Sequence, residues 1–281
     1  MIDFIKAVHD YTFLQYALLA GLLASVACGI VGTYVVTRRI TFMAGSISHC
    51  ILGGMGAARY FATVRGWEWL TPLQGAVFAA LLAALIIGFV SIRAKQREDT
   101  VIGALWAIGM AVGVLFISQT PGYNEDLMGY LFGNILMIAP RDLILIVALD
   151  ALVVFAGVIW YHQFLAICFD EEYARLRGVN VEFFYILLLC LTALTVVLLV
   201  SVVGIVLVIA LLTLPAAVAD HFSKTLWQMM LLAAVCCALF TAGGLALSYG
   251  PNLPAGATVI LVGGVTYLAV TGGAALLRTR P

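Results

Sequence analysis

The sequence predicts an all-α polytopic membrane protein of eight or nine transmembrane helices. Three observations carry that expectation. Of the 281 residues, 64% are hydrophobic and only 10% are charged, whereas an average soluble domain carries about 25% charged residues. The mean hydropathy is +1.13. Apolar runs also recur along the chain at the length of about 20 residues that a bilayer core requires.

In order, the runs place spans at 13–36, 43–62, 70–92, 101–118, 143–160, 183–200, 203–219, 226–248 and 256–277. The first is 24 residues long and follows a flank holding Asp3, Lys6, His9 and Asp10. A cleavable signal has an apolar region of about 7–15 residues behind a basic flank, so this run is expected to remain as a span. The second contains several glycines and the seventh a proline, so either could be broken or re-entrant; hence eight or nine crossings. No connection is long enough for a separate soluble domain, and residues 1–281 read as one transmembrane domain.

Loop charge sets the expected orientation. With nine crossings, one side receives Arg38, Arg39, Arg93, Lys95, Arg97, Arg175, Arg177, Lys224, Arg278 and Arg280, and the other Lys6, Arg59, Arg65 and Arg141. Lysine and arginine concentrate in cytoplasmic loops. The N-terminus is therefore expected outside and the C-terminus in the cytoplasm. Trp67 and Trp69 then fall at the outer interface, and Trp160 and Tyr161 at the inner one. Lys+Arg and Asp+Glu are 14 each, so no charge excess suggests nucleic acid as a partner. The six cysteines form no CxxC, and all but Cys168 lie in apolar runs, where a free thiol behaves as a small hydrophobe.

The connection at 161–182 carries Phe169-Asp-Glu-Glu-Tyr-Ala-Arg-Leu-Arg-Gly. It reads as a short amphipathic helix stopped by Gly178, with acids leading and arginines following as the helix dipole favours. Either a solvated linker helix or a docking helix for a cytoplasmic partner fits. A Walker A loop needs Gly-Lys before Ser or Thr, but Lys6, Lys95 and Lys224 follow Ile5, Ala94 and Ser223. Any ATP-driven motor must be another polypeptide.

Ionisable groups inside spans are functional candidates, because burying them costs several kcal/mol unless they are paired. Two stand well inside: His49 in the second span and Asp150 in the fifth. On a helix His49 shares one face with Gly45, Ser46, Gly53 and Gly56. Such a face suits either close helix packing or an open path with one imidazole ligand for a transition metal. Asp150 either hydrogen-bonds a neighbouring helix or acts as a ligand or relay. The Asp220-His221 pair closes the seventh span and reads as a solvated end. Breaks are expected at Gly204, at Pro215 and across Pro251, Pro254 and Gly256, where prolines forbid continuous helix. Broken backbone at membrane depth is tolerated where it is packed in protein or lines a cavity.

These segments resemble the permease subunit of the zinc- and manganese-type ABC importers, nearly end to end. The run Arg38-Arg through Gly45-Ser-Ile-Ser-His49 is similar to that family's arginine followed by Gly-Asp-Ala-Leu-Ser-His. Asp126-Leu-Met-Gly-Tyr-Leu-Phe-Gly-Asn-Ile-Leu resembles its signature ending Tyr-Leu-Phe-Gly-Asn-Ile-Leu, and Phe169 to Gly178 its Phe-Asp-Glu-Glu loop. Val203-Gly-Ile to Pro215-Ala and Ser248 to Gly256 complete five motifs in order.

The resemblance implies a vitamin-B12-importer-like, type II permease fold in a prokaryotic plasma membrane. It implies a homodimer with a second copy of the chain, a cytoplasmic ATPase pair that binds the ATP, and an extracytoplasmic metal-binding protein. The cargo would be a divalent transition metal, zinc or manganese, with no permanently bound cofactor. The loop at about 168–178 would be the coupling helix on the ATPase, carried by Asp170, Glu171, Glu172, Arg175 and Gly178. His49 would be a transient metal ligand. The family has an Asp four residues before its transmembrane His, where this chain has Gly45. Either Asp150, Cys50 or the second subunit's His49 completes the site, or the cargo differs.

Two other classes compete. In an ion-gradient-driven secondary metal transporter Asp150 would titrate, but no other mid-membrane acid accompanies it. An intramembrane metalloprotease would need an HExxH pair or a second buried His near His49, and the sequence has neither. The chain is therefore read as a transport subunit and not an enzyme.

Overall fold

The computed structural model describes residues 2–67, 69–93, 98–121, 140–251 and 253–278. The segment resembling the Tyr-Leu-Phe-Gly-Asn-Ile-Leu signature lies outside them, as does Asn252. The described residues contain twelve helices and no strand. They are α1 (Ile2–Asp10), α2 (Thr12–Thr37), α3 (Thr41–Arg65), α4 (Pro72–Arg93), α5 (Glu98–Ser118), α6 (Pro140–Ile159), α7 (Tyr161–Phe169), α8 (Glu171–Leu176), α9 (Val181–Val203), α10 (Ile205–Asp220), α11 (Leu226–Tyr249) and α12 (Ala255–Arg278).

Among the described residues six helices are long and apolar enough to cross a membrane: α2, α4, α5, α9, α11 and α12. A seventh arises if α6 and α7, bent by 73° at Trp160, count as one broken span. The bent pair extends beyond the fifth predicted run, which stopped at 160. Helix α10 has 16 residues and so reaches about 24 Å, short of a bilayer core of about 30 Å.

Helices α2 and α9 form the centre. Packed on α2 are α6, α10 and α11; α9 joins that group to α4, while α3 lies between α4 and α5. One apolar core runs through all of them, with Tyr34, Ile47, Ile51, Leu188 and Ile205 fully buried. Helix α12 instead turns Leu261, Val265 and Leu268 outward.

The second span was expected to be interruptible, yet α3 is continuous from Thr41 to Arg65. Its glycines serve contact instead of breakage. A Cβ on Gly54 would collide with the Gly75 carbonyl oxygen of α4, and one on Gly53 would lie 2.8 Å from the Gly109 oxygen of α5. Small residues let backbones approach this closely in a membrane. Pro215 likewise lies inside an unbroken α10, correcting the expected break there. The real interruption is Gly204, whose φ of 83° and ψ of 160° separate α9 from α10. That conformation is essentially restricted to glycine. Between Tyr249 and Ala255 the chain leaves helix at the predicted Pro251 and Pro254, while Gly256 lies in the first turn of α12.

Sequence also dictates the helix ends. Thr71 and Gln74 form a reciprocal capping box at α4, with Thr71 N donating to Gln74 Oε1 at 2.9 Å and Gln74 N to Thr71 Oγ1 at 3.3 Å. Helix α1 was not foreseen. Gln15 Nε2 caps it by donating to the carbonyl oxygens of Val8 (2.9 Å) and His9 (3.3 Å).

Candidate functional site: a polar pole and an intramembrane imidazole

Helix α8 is built by three local devices. The Asp170 side chain accepts a 2.9 Å hydrogen bond from Tyr173 N, capping the first turn. Glu171 and Glu172 follow in that turn and Arg175 lies in the last. Gly178, at φ 78°, then closes the helix, with Val179 N donating to Ala174 O and Gly178 N to Arg175 O, both at 3.0 Å. This is the Schellman arrangement, in which a left-handed residue satisfies the last carbonyls. The sequence expectation of a helix stopped by Gly178 therefore matches the geometry.

The turn between α2 and α3 uses the same device with a less suitable residue. Arg39 has φ 61°, and Ile40 N donates to Val35 O while Arg39 N donates to Val36 O, both at 3.0 Å. A non-glycine residue in this region costs about 1 kcal/mol or more. The turn presents Arg38 to α8, where it pairs with Glu171. The Arg38 guanidinium also lies over the Tyr185 ring of α9, 5.5 Å from its centroid. Tyr185 Oη donates to Met43 Sδ of α3 at 3.3 Å and shares a 3.0 Å hydrogen bond with Ser91 Oγ of α4. Polar and charged contacts thus tie α8 to the α2–α3 turn, α9, α3 and α4. The ends of α10 and α11 meet the same pole, where Val36 packs on Ala216 and Ala219. Phe4 and Tyr249 meet at 5.9 Å and gather α1 with the end of α11.

His49 lies on α3 about two turns from Phe42. Its ring stacks on the Trp106 indole of α5, with centroids 4.3 Å apart and planes inclined by 14°. His49 Nδ1 is buried without a hydrogen-bond partner. On either side, Ser46 Oγ donates to Ile102 O at 2.9 Å and Cys50 Sγ to Leu105 O at 3.3 Å, bolting α3 to α5. The small-residue face therefore divides. Gly53 and Gly56 are filled by close contact with Gly109 and Gly113, while a Cβ on Gly45 would meet only Trp106 Cζ3, at 3.9 Å. Gly45 instead borders a cavity of about 450 Å³ shared with Trp106, Thr213, Leu214 and Tyr267.

Asp150 is elsewhere. It is buried on α6 beside Ala27 and Cys28 of α2, with neither carboxylate oxygen in a well-aligned hydrogen bond. Among the described residues no group of three or more His, Cys, Asp or Glu is placed to hold a metal ion. The structure thus brings Cys50 and His49 onto the α5 contact and leaves Asp150 with α2. His221 sits at the end of α10, its Nδ1 3.0 Å from Ala217 O.

Sequence reasoning passed over Trp106 and the pairing of Arg38. Trp106 had a signal: Trp67, Trp69, Trp160 and Trp227 stand at the ends of predicted spans, and Trp106 stands within one. The partner of Arg38 had none, because only the fold brings residue 171 to residue 38.

A bundle of apolar helices with a capped polar helix at one pole and an imidazole within it is the architecture of a polytopic membrane subunit. The ABC 3 transport family model matches residues 10–272, and the chain belongs to that family. It is a permease subunit and not an enzyme. An uncharacterized membrane protein of Synechocystis sp. is 42% identical over 268 residues, covering 95% of this chain and 93% of its own. The manganese import system permease protein ScaB of Streptococcus gordonii is 32% identical over 266 residues, covering 95% of this chain and 93% of its own. Among solved structures, PsaBC from Streptococcus pneumoniae in complex with Fab superimposes with a TM-score of 0.84 at 30% identity, covering 96% of this chain and 95% of that one.

Proposed function

We propose that this chain is the transmembrane permease of an ABC importer for a divalent transition metal, with manganese as the first cargo to test and zinc as the second. The observation that carries the reading is the relation to a manganese import permease, 32% identical over 266 residues that cover 95% of this chain and 93% of the relative. A membrane subunit of this family draws its energy from an ATPase on another chain, in keeping with the absence of a Walker A loop.

The full assembly in this reading is two copies of the chain, a cytoplasmic ATPase pair and an extracytoplasmic metal-binding protein, in a prokaryotic plasma membrane. The pole bearing Arg38, Arg39, Arg175, Arg177 and Lys224 faces the cytoplasm, by the excess of basic residues there. That leaves the N-terminus outside and the C-terminus inside. Helix α8, within 168–178, is the coupling helix: Asp170 caps it, Glu171 and Arg175 present charge, and Gly178 ends it. Gly204 and the Pro251–Pro254 turn give the bundle its breaks for gating.

His49 is the transient ligand in the path. A path ligand should be sparse, since a closed four-ligand site would hold the ion instead of passing it. One imidazole per subunit, facing its symmetry mate, leaves coordination positions for water. Asp150 belongs to the seam between α2 and α6 and takes no part in that site. Reconstitution of the permease with its ATPase and binding protein tests the reading. ATP-dependent uptake of manganese or zinc supports it, and ATP-independent uptake driven by a proton or sodium gradient refutes it.

A further inference from the structure

We propose that Trp106 is a positioning residue for the transported metal ion: its stacked indole sets the plane of the His49 imidazole and tunes how long the ion stays. The inference rests on the reading of His49 as a ligand. Three observations point to it. The rings lie nearly parallel, 14° apart at 4.3 Å. One turn before His49 the chain has Gly45, and the nearest atom to its missing side chain is the edge of the same indole, Trp106 Cζ3 at 3.9 Å. Helices α3 and α5 cannot slide freely on one another. The Gly53–Gly109 and Gly56–Gly113 approaches and the bonds from Ser46 to Ile102 and Cys50 to Leu105 fix their register around the pair.

The chemistry follows from the geometry. An imidazole nitrogen offers its lone pair in the ring plane. With the indole covering one face, rotation of the ring about Cβ–Cγ is restricted, so an ion bound to it in the ring plane lies beside the indole and not upon it. Gly45 and Thr213 border a cavity beside the indole, and the stack fixes the plane of the imidazole on the neighbouring turn of α3. A metal-bound imidazole carries part of the cation's charge, and an indole face attracts positive charge without supplying a ligand bond. Trp106 therefore strengthens the bound state modestly, by about fivefold in affinity. No side chain at 45 adds a carboxylate. The result is a site that orients an ion and releases it quickly.

The test reads Trp106 directly. In the full chain in lipid nanodiscs, Trp67, Trp69, Trp160 and Trp227 are replaced by Phe in a protein that retains uptake, and the remaining fluorescence is titrated with manganese(II), a paramagnetic quencher. Saturable quenching that His49→Ala removes, and that zinc(II) prevents by competition, is the expected result. In the reconstituted importer, Trp106→Leu should raise KM about fivefold at nearly unchanged maximal rate, Trp106→Phe should do so less, and Gly45→Asp should lower KM and slow release. If uptake needs His49 but Trp106 is not quenched, or if Trp106→Leu keeps the wild-type KM, the positioning role is wrong and the ligand reading stands. If uptake does not need His49, the ligand reading itself falls.

Discussion

Arg38, at the end of α2, forms an ion pair with Glu171, in the first turn of α8. The two side chains are 23% and 38% exposed, and a pair this open contributes about 0–1 kcal/mol to stability. Its value lies in connection. Through Arg38 helix α8 touches the turn that starts α3, the helix bearing His49, and through Tyr185 it is linked to Met43 on that same helix. If α8 is the coupling helix proposed above, these contacts join it to the α2–α3 turn.

Glu171→Gln should therefore change unfolding temperature little but lower the amount of metal moved per ATP hydrolysed. Exchanging the charges, with Arg38→Glu and Glu171→Arg together, should recover part of that ratio. Uptake and hydrolysis measured in the same proteoliposomes check this. An unchanged ratio in Glu171→Gln would remove the pair from the coupling route.

The glycines of α3 divide into two kinds, and substitution should separate them. Gly54→Ala drives a methyl into the Gly75 carbonyl and should destabilise the protein by about 1–3 kcal/mol, the usual range for overpacking. Gly45→Ala meets only the Trp106 edge at 3.9 Å and should be close to neutral. Thermal unfolding in detergent distinguishes the two, and equal losses would contradict the packing described.

At Gly204 the constraint is conformational. Gly204→Ala places a side chain at φ 83°, a strained region costing about 1–3 kcal/mol. The variant should straighten or misorient the α9–α10 junction and reduce uptake, while Gly243→Ala, with nothing near its Cβ, should leave uptake intact. Wild-type uptake in Gly204→Ala would mean the junction has no gating part.

Much of this was legible in the sequence, because bilayer spans are written in composition: α2, α4, α9, α11 and α12 fall close to the predicted runs. The cap by Asp170 emerged only from the structure, while the stop at Gly178 is local chemistry and was equally readable. The continuity of α3 was not. Glycine lowers helix propensity in water, but here Gly53, Gly54 and Gly56 are held by neighbouring backbones that periodicity cannot show. Pro215 misled for the same reason, since a proline near a buried helix end need not end it. Helix α1 was too short and too mixed to register as a run. The small-residue face around His49 left packing and path both open, and only the placement of Gly109 and Trp106 on α5 divides it.

Orientation can be read by labelling. In a cysteine-free background, Pro251→Cys should react with an impermeant maleimide from outside, and Arg278→Cys only after the membrane is opened. Reaction of Arg278→Cys from outside would overturn the assignment of the basic pole to the cytoplasm, and reaction of both from one side would mean that α12 does not cross the membrane.

The most direct test of the account is metal uptake by the reconstituted importer carrying His49→Ala. Imidazole binds metal only when neutral, so wild-type uptake should fall as acid protonates it. The account predicts that His49→Ala abolishes uptake while the permease still assembles with its ATPase, and that His221→Ala is mild. Uptake by His49→Ala at the wild-type rate, with the same metal preference and the same fall in acid, would contradict it.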